Sequence, residues 1–195
     1  MDPNRLIQQK WRIKPHDTLP MKGWSHKITR HDLFEIYTEL GYKTGAEVGV
    51  GTGRHAVQML NNVPGLHLYA VDPWQQYGRC SQRICDQRYN ATVRRLTNKN
   101  ATIIRKTSLE AVQEFEDGSL DFVYVDGDHR FDAVMMDIIL WAPKVRRGGI
   151  VAGHDYYHFY QSGVVDAVRV YTWAHRITEW YVTWEKTATW LWVVK

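Results

Sequence analysis

Apolar residues along this chain alternate between short continuous runs and helical spacing, with glycine, proline and aspartate as punctuation. Leu33, Phe34, Ile36, Tyr37 and Leu40 recur at helical intervals before Gly41, which predicts a helix from Asp32 to Leu40. Residues Gly45 to Gly49 read as a strand that feeds a glycine turn and a helix carrying Ala56, Val57, Met59 and Leu60. Leu66 to Val71 reads as a second buried strand, followed by a helix with Arg79, Arg83, Arg88, Arg94 and Arg95. Strands at Ala101 to Ile104, at Phe122 to Val125 and from Ile150 to Ala152 onward continue the series. Between them lie a short helix from Leu109 to Phe115 and a longer one with Phe131, Val134, Met135, Ile138, Ala142 and Val145 on one face, closed at Gly148-Gly149. Val164 to Trp173 reads as the last helix, and Ile177 to Trp184 and Thr189 to Val194 as two strands joined at Lys186-Thr187. The segment from Met1 to Gly23 is polar, aperiodic and holds Pro3, Pro15 and Pro20. Residues 1–31 are therefore read as an irregular arm and 32–195 as one domain.

Strands that alternate with helices pair in parallel through right-handed crossovers, which implies a doubly wound α/β sheet of seven strands. The last two strands are too close in sequence for a crossover and form an antiparallel hairpin. In such sheets, ligands bind outside the carboxyl ends of the strands. Composition supports an ordinary globular chain, with 44% apolar and 24% charged residues in a length suited to one core. The net charge of +4 is spread rather than gathered in a tail, so polyanion binding is not implied. Cys80 and Cys85 are two cysteines without C-x-x-C spacing, which points away from metal and redox chemistry. The first thirty residues hold no apolar run, so neither a signal peptide nor a membrane span is expected and a cytoplasmic location fits. Nine tryptophans and eleven tyrosines suit pockets and interfaces. Trp180, Trp184, Trp190 and Trp192 on the final strands need the sheet or a second copy of the chain to cover them, so a homo-oligomer is a candidate.

The candidate chemistry lies at the predicted strand ends. In Glu47-Val48-Gly49-Val50-Gly51-Thr52-Gly53, glycines permit a sharp turn and close approach of a ligand. A dinucleotide fingerprint started at Gly49 would need its third glycine where Arg54 stands, which disfavours a nicotinamide cofactor. Glu47 suits a ligand with a cationic amino acid end. Asp72 closes the second strand, where a carboxylate can accept both hydroxyls of a ribose, and Pro73 and Trp74 follow it, Trp74 either covering a base or packing. Further on stand Val125-Asp126-Gly127-Asp128-His129 and Gly153-His154-Asp155-Tyr156, at the ends of adjacent strands and able to share one pocket. Asp126 and Asp155, with His154, could hold a hard divalent cation. His129 either takes a proton or orders the loops by bonding Asp126 or Asp155.

Glu47, the glycine trio and Asp72 together resemble the first two motifs of class I S-adenosylmethionine-dependent methyltransferases. The D-G-D-H and H-D segments resemble the small-molecule methyltransferase family Methyltransf_24, over about Ala46 to Tyr156. The resemblance implies a Rossmann-like sheet, mostly parallel with the antiparallel C-terminal hairpin, and S-adenosylmethionine as cofactor. It assigns cofactor contacts to Glu47, Gly49, Gly51, Gly53, Asp72, Pro73, Trp74 and Asp126, with Thr107 and Ser108 beside the adenine. It further implies a small-molecule acceptor methylated on a hydroxyl oxygen. The related catechol- and macrocin-type enzymes hold magnesium with acids at these strand ends, which makes Asp126, His154 and Asp155 candidate ligands for Mg2+, His154 standing where those relatives have an acid. His129 stands where the catechol-type enzymes carry a lysine, so His129, His154 and Asp126 are the catalytic candidates. Methylation of nucleic acid is disfavoured, since neither an Asp/Asn-Pro-Pro-aromatic motif nor a Pro-Cys nucleophile is present; a non-catalytic module that binds the cofactor is the other alternative. His16, His26, His31, His55, His67, His158 and His175 are read as unremarkable.

Overall fold

Eight strands form one mixed sheet in the computed structural model, which describes every residue except 14–18, 23–27, 79 and 161, and the side chain of Lys22. His16, His26, Pro15 and Arg79 thus lie outside the described residues. The strands are β1 (Met21–Lys22), β2 (Thr44–Val48), β3 (His67–Val71), β4 (Ala101–Ile104), β5 (Leu120–Val125), β6 (Val145–Gly153), β7 (Trp180–Val182) and β8 (Trp190–Val193), in the spatial order β1-β7-β8-β6-β5-β2-β3-β4. All pairings are parallel except those of β8, which runs antiparallel between β6 and β7. The helices are α1 (Pro3–Lys10), α2 (Asp32–Glu39), α3 (Arg54–Asn62), α4 (Gln82–Leu96), α5 (Ser108–Ala111), α6 (Phe131–Trp141) and α7 (Val164–Ala174).

Period-two alternation divides the core into two layers. Ala46, Val48, Val123, Val125 and Val151 meet Val134, Ile138, Trp141 and Val168 on the α6–α7 side. Phe122, Tyr124, Ile150 and Ala152 meet Leu33, Ile36, Tyr37 and Met59 on the α2–α3 side. The chain leaves β2 first toward β3 and β4, then returns to β5 and β6 on the other flank. The crevice of this sheet therefore opens at the carboxyl ends of β2 and β5.

Two sequence expectations change. Residues 1–31 are not irregular throughout: Asp2 caps α1 by accepting from the Asn4 N–H at 2.9 Å, and Pro3 sits in the first turn, where its missing N–H costs nothing. Leu6 and Ile7 of that helix are buried, and the arm also supplies the edge strand β1, which pairs with β7 and makes an eighth strand beside the expected seven. The helix expected to close at Gly148-Gly149 instead ends at Trp141, because Pro143 turns the chain through a 3-10 turn (Ala142–Lys144) and both glycines lie inside β6. A Cβ at Gly149 would stand 2.4 Å from the Asp121 carbonyl oxygen, so the β5–β6 pairing itself requires glycine there. Of the two covers expected for the final tryptophans, the chain itself supplies that of Trp180, Trp190 and Trp192, with Tyr171 of α7 stacked on Trp192 at 5.4 Å, while Trp184 is 44% exposed. Among the described residues no helix is long and apolar enough to cross a membrane.

Candidate active site

The parallel ladders run one residue past four strand ends. Gly49 N–H donates to Val71 O (2.8 Å), Asp72 N–H to Ile104 O (3.2 Å), Asp126 N–H to Val48 O (2.7 Å) and His154 N–H to Val125 O (2.9 Å). These bonds set Asp72, Gly49, Asp126 and His154 in a row along the carboxyl edge of the sheet. Gly49 must lack a side chain, since a Cβ would meet the Asp126 carbonyl oxygen at 2.2 Å and its φ is +94°. Gly51, at φ +57°, has nothing within 4 Å of its missing Cβ: the space beside it is open.

That space belongs to a cavity of about 570 Å³ whose wall includes Gly49, Gly51, Asp72, Pro73, Trp74, Thr107, Ser108, Asp126 and His129. Asp72 is pinned at both oxygens, Oδ2 accepting from Gly51 N–H (2.9 Å) and Oδ1 from Trp74 N–H (2.7 Å). Burial raises its carboxyl above the ordinary range and the two amides counter this. Trp74 does not hang free over the cavity, since its indole N–H donates to Gly51 O at 2.8 Å and ties the two loops together. Thr107 spends its hydroxyl on the capping box of α5 with Glu110, so only Ser108 of that pair joins the polar network of the cavity wall. Ser108 donates to Asp137 Oδ1 and accepts from the Trp141 indole N–H at 2.8 Å. Asp137, which the sequence reading left out of the site, lines the cavity with its carboxyl pushed up to about 6 by burial. Its signal was an acid on the buried face of α6, between Val134 and Trp141.

The second half of the site is a cluster of charges. His129 Nε2 lies 2.9 Å from Asp155 Oδ2 and 3.7 Å from Asp126 Oδ1, close enough for ion pairs but off the line of a hydrogen bond. Asp126 first, then Asp155, hold the imidazole up at about 10, so it is charged at neutral pH. Burial works to raise the Asp155 carboxyl, but His129 and His154 outweigh it and leave it below the ordinary range. Asp155 has φ +57°, a conformation that favours glycine, and such strain collects at functional sites. His154 places Nδ1 at 3.2 Å from Asp155 Oδ1 and 3.8 Å from Asp126 Oδ1, while its Nε2 faces the Arg30 guanidinium at 3.4 Å. A guanidinium only donates, so Nε2 accepts and Nδ1 carries the proton toward the carboxylates. Arg30 comes from the arm, far from any motif, and nothing local in the sequence marks it.

Asp126, His154 and Asp155 offer ligand atoms within 4.8 Å of one another, close enough for one cation. The arrangement does not fit magnesium, however. Magnesium takes oxygen donors, and the third ligand here is an imidazole whose carboxylate-facing nitrogen holds a proton. The positive charge that two neighbouring acids need is supplied by His129, with Arg30 behind His154.

Two expected cofactor residues stand apart from the cavity. Glu47 projects to the α2–α3 face, 1% exposed, because β2 sends Ala46 and Val48 to the opposite face. Its Oε1 is 3.0 Å from His55 Nδ1, a histidine read as unremarkable. Burial raises the Glu47 carboxyl well above its ordinary value and lowers His55 to about 3. Glu47 Oε2 has no hydrogen-bond partner among the described residues. Gly53, at φ +74°, packs against Thr92 of α4 and closes the turn rather than lining the cavity.

The glycine turn and the doubly pinned aspartate lie at the switch point of the sheet, an arrangement in keeping with class I S-adenosylmethionine-dependent methyltransferase domains. The family model described as a methyltransferase domain, Methyltransf_24, matches residues 46–156, and the chain belongs to that family. A curated relative, the uncharacterized protein y4gI of Sinorhizobium fredii (strain NBRC 101917 / NGR234), is 40% identical over 53 residues, 27% of this chain, and the match spans only 6% of that protein's length. Among solved structures, an O-methyltransferase from Bacillus cereus in complex with SAH superposes with a TM-score of 0.64 at 12% identity, covering 100% of this chain and 91% of that one. The O-methyltransferase TomG from Streptomyces achromogenes, involved in tomaymycin synthesis and in complex with SAM, gives 0.62 at 12% identity over 85% and 79% of the two chains. A proposed rRNA methylase from Clostridium thermocellum gives 0.63 at 14% identity over 86% and 97%. Likeness at these identities is a likeness of fold.

Proposed function

We propose that this domain transfers a methyl group from S-adenosylmethionine to a hydroxyl oxygen of a small-molecule acceptor. The observation that carries the reading is that Gly51 and Asp72, on one side, and Asp126 and His129, on the other, line one cavity. The open space at Gly51 and the fixed carboxylate of Asp72 fit the adenosine portion of the cofactor, with Ser108 and Asp137 along the wall toward the base. The cofactor supplies a sulfonium-bound methyl group, an electrophile that needs no further activation. What the chain adds is position and charge. The His129 imidazolium lowers the cost of a deprotonated hydroxyl, and Asp126 beside it takes the proton. His129 is already protonated and His154 turns its lone pair to Arg30, so neither imidazole is the base in this arrangement.

The segment after β5 reads Asp126-Gly127-Asp128-His129 and not the Asp/Asn-Pro-Pro-aromatic motif of nucleic-acid methylation, which supports a small acceptor. Arg88 and Arg95 of α4 also serve contacts within the chain, donating to the Tyr77 hydroxyl (2.9 Å) and to Thr52 O (2.8 Å). A second reading, in which a divalent cation assists, draws on the 4.8 Å cluster of Asp126, His154 and Asp155; magnesium would have to displace Arg30 and His129. Calorimetry with S-adenosylmethionine and S-adenosylhomocysteine, followed by transfer of labelled methyl across a panel of hydroxylated small molecules with and without EDTA, tests all of this. Absence of heat with both cofactor forms would overturn the proposal.

A further inference from the structure

We infer that Cys80 and Cys85 form a redox modification site built into the wall of the cofactor cavity, oxidised to a disulfide by hydroperoxides. The inference about the thiols stands alone; its effect on the cavity rests on the cofactor reading above. Five positions apart and lacking a recognisable motif, the two are free thiols whose Sγ atoms lie 3.2 Å from each other. The fold makes this proximity. Tyr77 and Cys80 exchange backbone hydrogen bonds at 3.2 and 2.8 Å, which closes a narrow turn and returns Cys80 to the start of α4. Cys85 sits in the first turn of that helix, where its N–H donates to Ser81 O at 3.1 Å. The sulfurs are about 1.2 Å farther apart than in a disulfide, whose S–S bond is about 2.05 Å, so a small shift joins them.

The environments of the two thiols divide the chemistry. Cys80 is partly exposed and reachable, whereas Cys85 is 1% exposed, with burial pushing its thiol up. Arg88, one turn further along α4 and bonded to Tyr77, brings a cation near the pair. The Cys80 thiolate attacks a hydroperoxide oxygen: an S–O bond forms, the O–O bond breaks, and alcohol or water leaves after taking a proton. The Cys85 thiol then attacks the Cys80 sulfur; the S–S bond forms, the S–O bond breaks, and the oxygen departs as water with the Cys85 proton. Two thiols and one hydroperoxide thus give one disulfide, water and the reduced hydroperoxide, and a dithiol reverses the change by exchange.

The site reaches the cofactor cavity through Cys85, which lines it. Its S–H donates to Gln75 O at 3.1 Å, and Gln82 of the same helical turn donates to Trp74 O and accepts from Gln76 N–H, both at 3.0 Å. These bonds hang the wall from Trp74 to Gln76 on α4. A disulfide removes the Cys85 donor and draws its sulfur toward Cys80, which releases Gln75 and loosens that wall.

The test exposes the reduced full chain to hydrogen peroxide, maps its cysteines by peptide mass spectrometry, and measures S-adenosylhomocysteine binding before oxidation, after it, and after dithiothreitol. A Cys80–Cys85 disulfide is expected, with affinity reduced about fivefold, the size of one neutral hydrogen bond, and restored by the reductant. The Cys80→Ser variant, altered outside the cavity lining, should bind as the reduced protein does both with and without peroxide. Separate sulfinic acids with no disulfide would overturn the site, and a disulfide with unchanged affinity would overturn its coupling to the cavity. If the reduced protein gives no heat with S-adenosylhomocysteine, the cofactor reading falls while the mapping still decides the thiol pair.

Discussion

His129 Nε2 sits 2.9 Å from Asp155 Oδ2, and this contact joins the loop after β5 to the loop after β6 across the mouth of the site. The pair has a definite pH signature. The folded His129 value of about 10 lies above the ordinary 6.5, so its contribution is fully present below about 6.5 and is lost as pH rises through about 10. Asp155 is held below the ordinary 3.8, so its contribution is present above that value and is lost as pH falls below it. Between these limits the pair stabilises the fold by on the order of 1 kcal/mol, reduced by the solvent that reaches His129. In an NMR titration the His129 ring should stay protonated through pH 8, and Asp155→Asn should bring its midpoint down by about one unit or more. Titration of the wild-type ring near 6.5 would show that the contact does not form in solution.

Gly49 and Gly51 should separate folding from binding. A Cβ at Gly49 would collide with the Asp126 backbone, so Gly49→Ala should destabilise the protein by about 2 kcal/mol or more in urea denaturation. At Gly51 a Cβ meets no protein atom within 4 Å, so Gly51→Val carries mainly the strain of a positive φ, about 1–2 kcal/mol. It should fold and yet lose S-adenosylhomocysteine binding, because its side chain fills the cavity. Micromolar affinity retained in Gly51→Val would remove the glycine turn from the cofactor site.

Asp72→Ala should weaken S-adenosylmethionine by about 1.5–3 kcal/mol, the range for hydrogen bonds to a charged group, or roughly ten- to a hundredfold in Kd. Part of that loss comes from freeing Gly51 and Trp74, whose amides Asp72 now holds. A compound lacking both ribose hydroxyls separates the two effects: its loss of affinity in Asp72→Ala should be smaller and reads the contribution of the freed loops alone. An unchanged Kd for S-adenosylmethionine itself in Asp72→Ala would place the ribose elsewhere.

Arg30 sets the metal response of the cluster. With its guanidinium on His154 Nε2, the wild-type protein should show no rise in Tm with magnesium or manganese and no loss of activity with EDTA. Arg30→Gln removes a positive charge and lets the imidazole proton move to Nε2, which frees Nδ1 as a ligand beside two carboxylates. Manganese should then raise the Tm of Arg30→Gln in a concentration-dependent way, as expected for a ligand that binds the folded state. A magnesium-dependent rise in the wild type would restore the metal-assisted reading.

Much of this protein is written locally in its sequence. Runs such as Leu66 to Val71, helical spacing such as Leu33 to Leu40, and stops at Gly49, Asp72 and Asp126 depend only on period, turn chemistry and burial within a few residues, and they place the candidate site at strand ends. The tertiary structure alone decides which distant side chains meet. It threads β8 between β6 and β7, turns the proline-bearing start of the arm into α1, and sends Glu47 away from the cavity to His55. It also carries Arg30 to His154 and folds Cys80 back to within 3.2 Å of Cys85. Such contacts depend on strand order and loop path, which arise from the packing of the whole core and leave no periodic trace around any one residue.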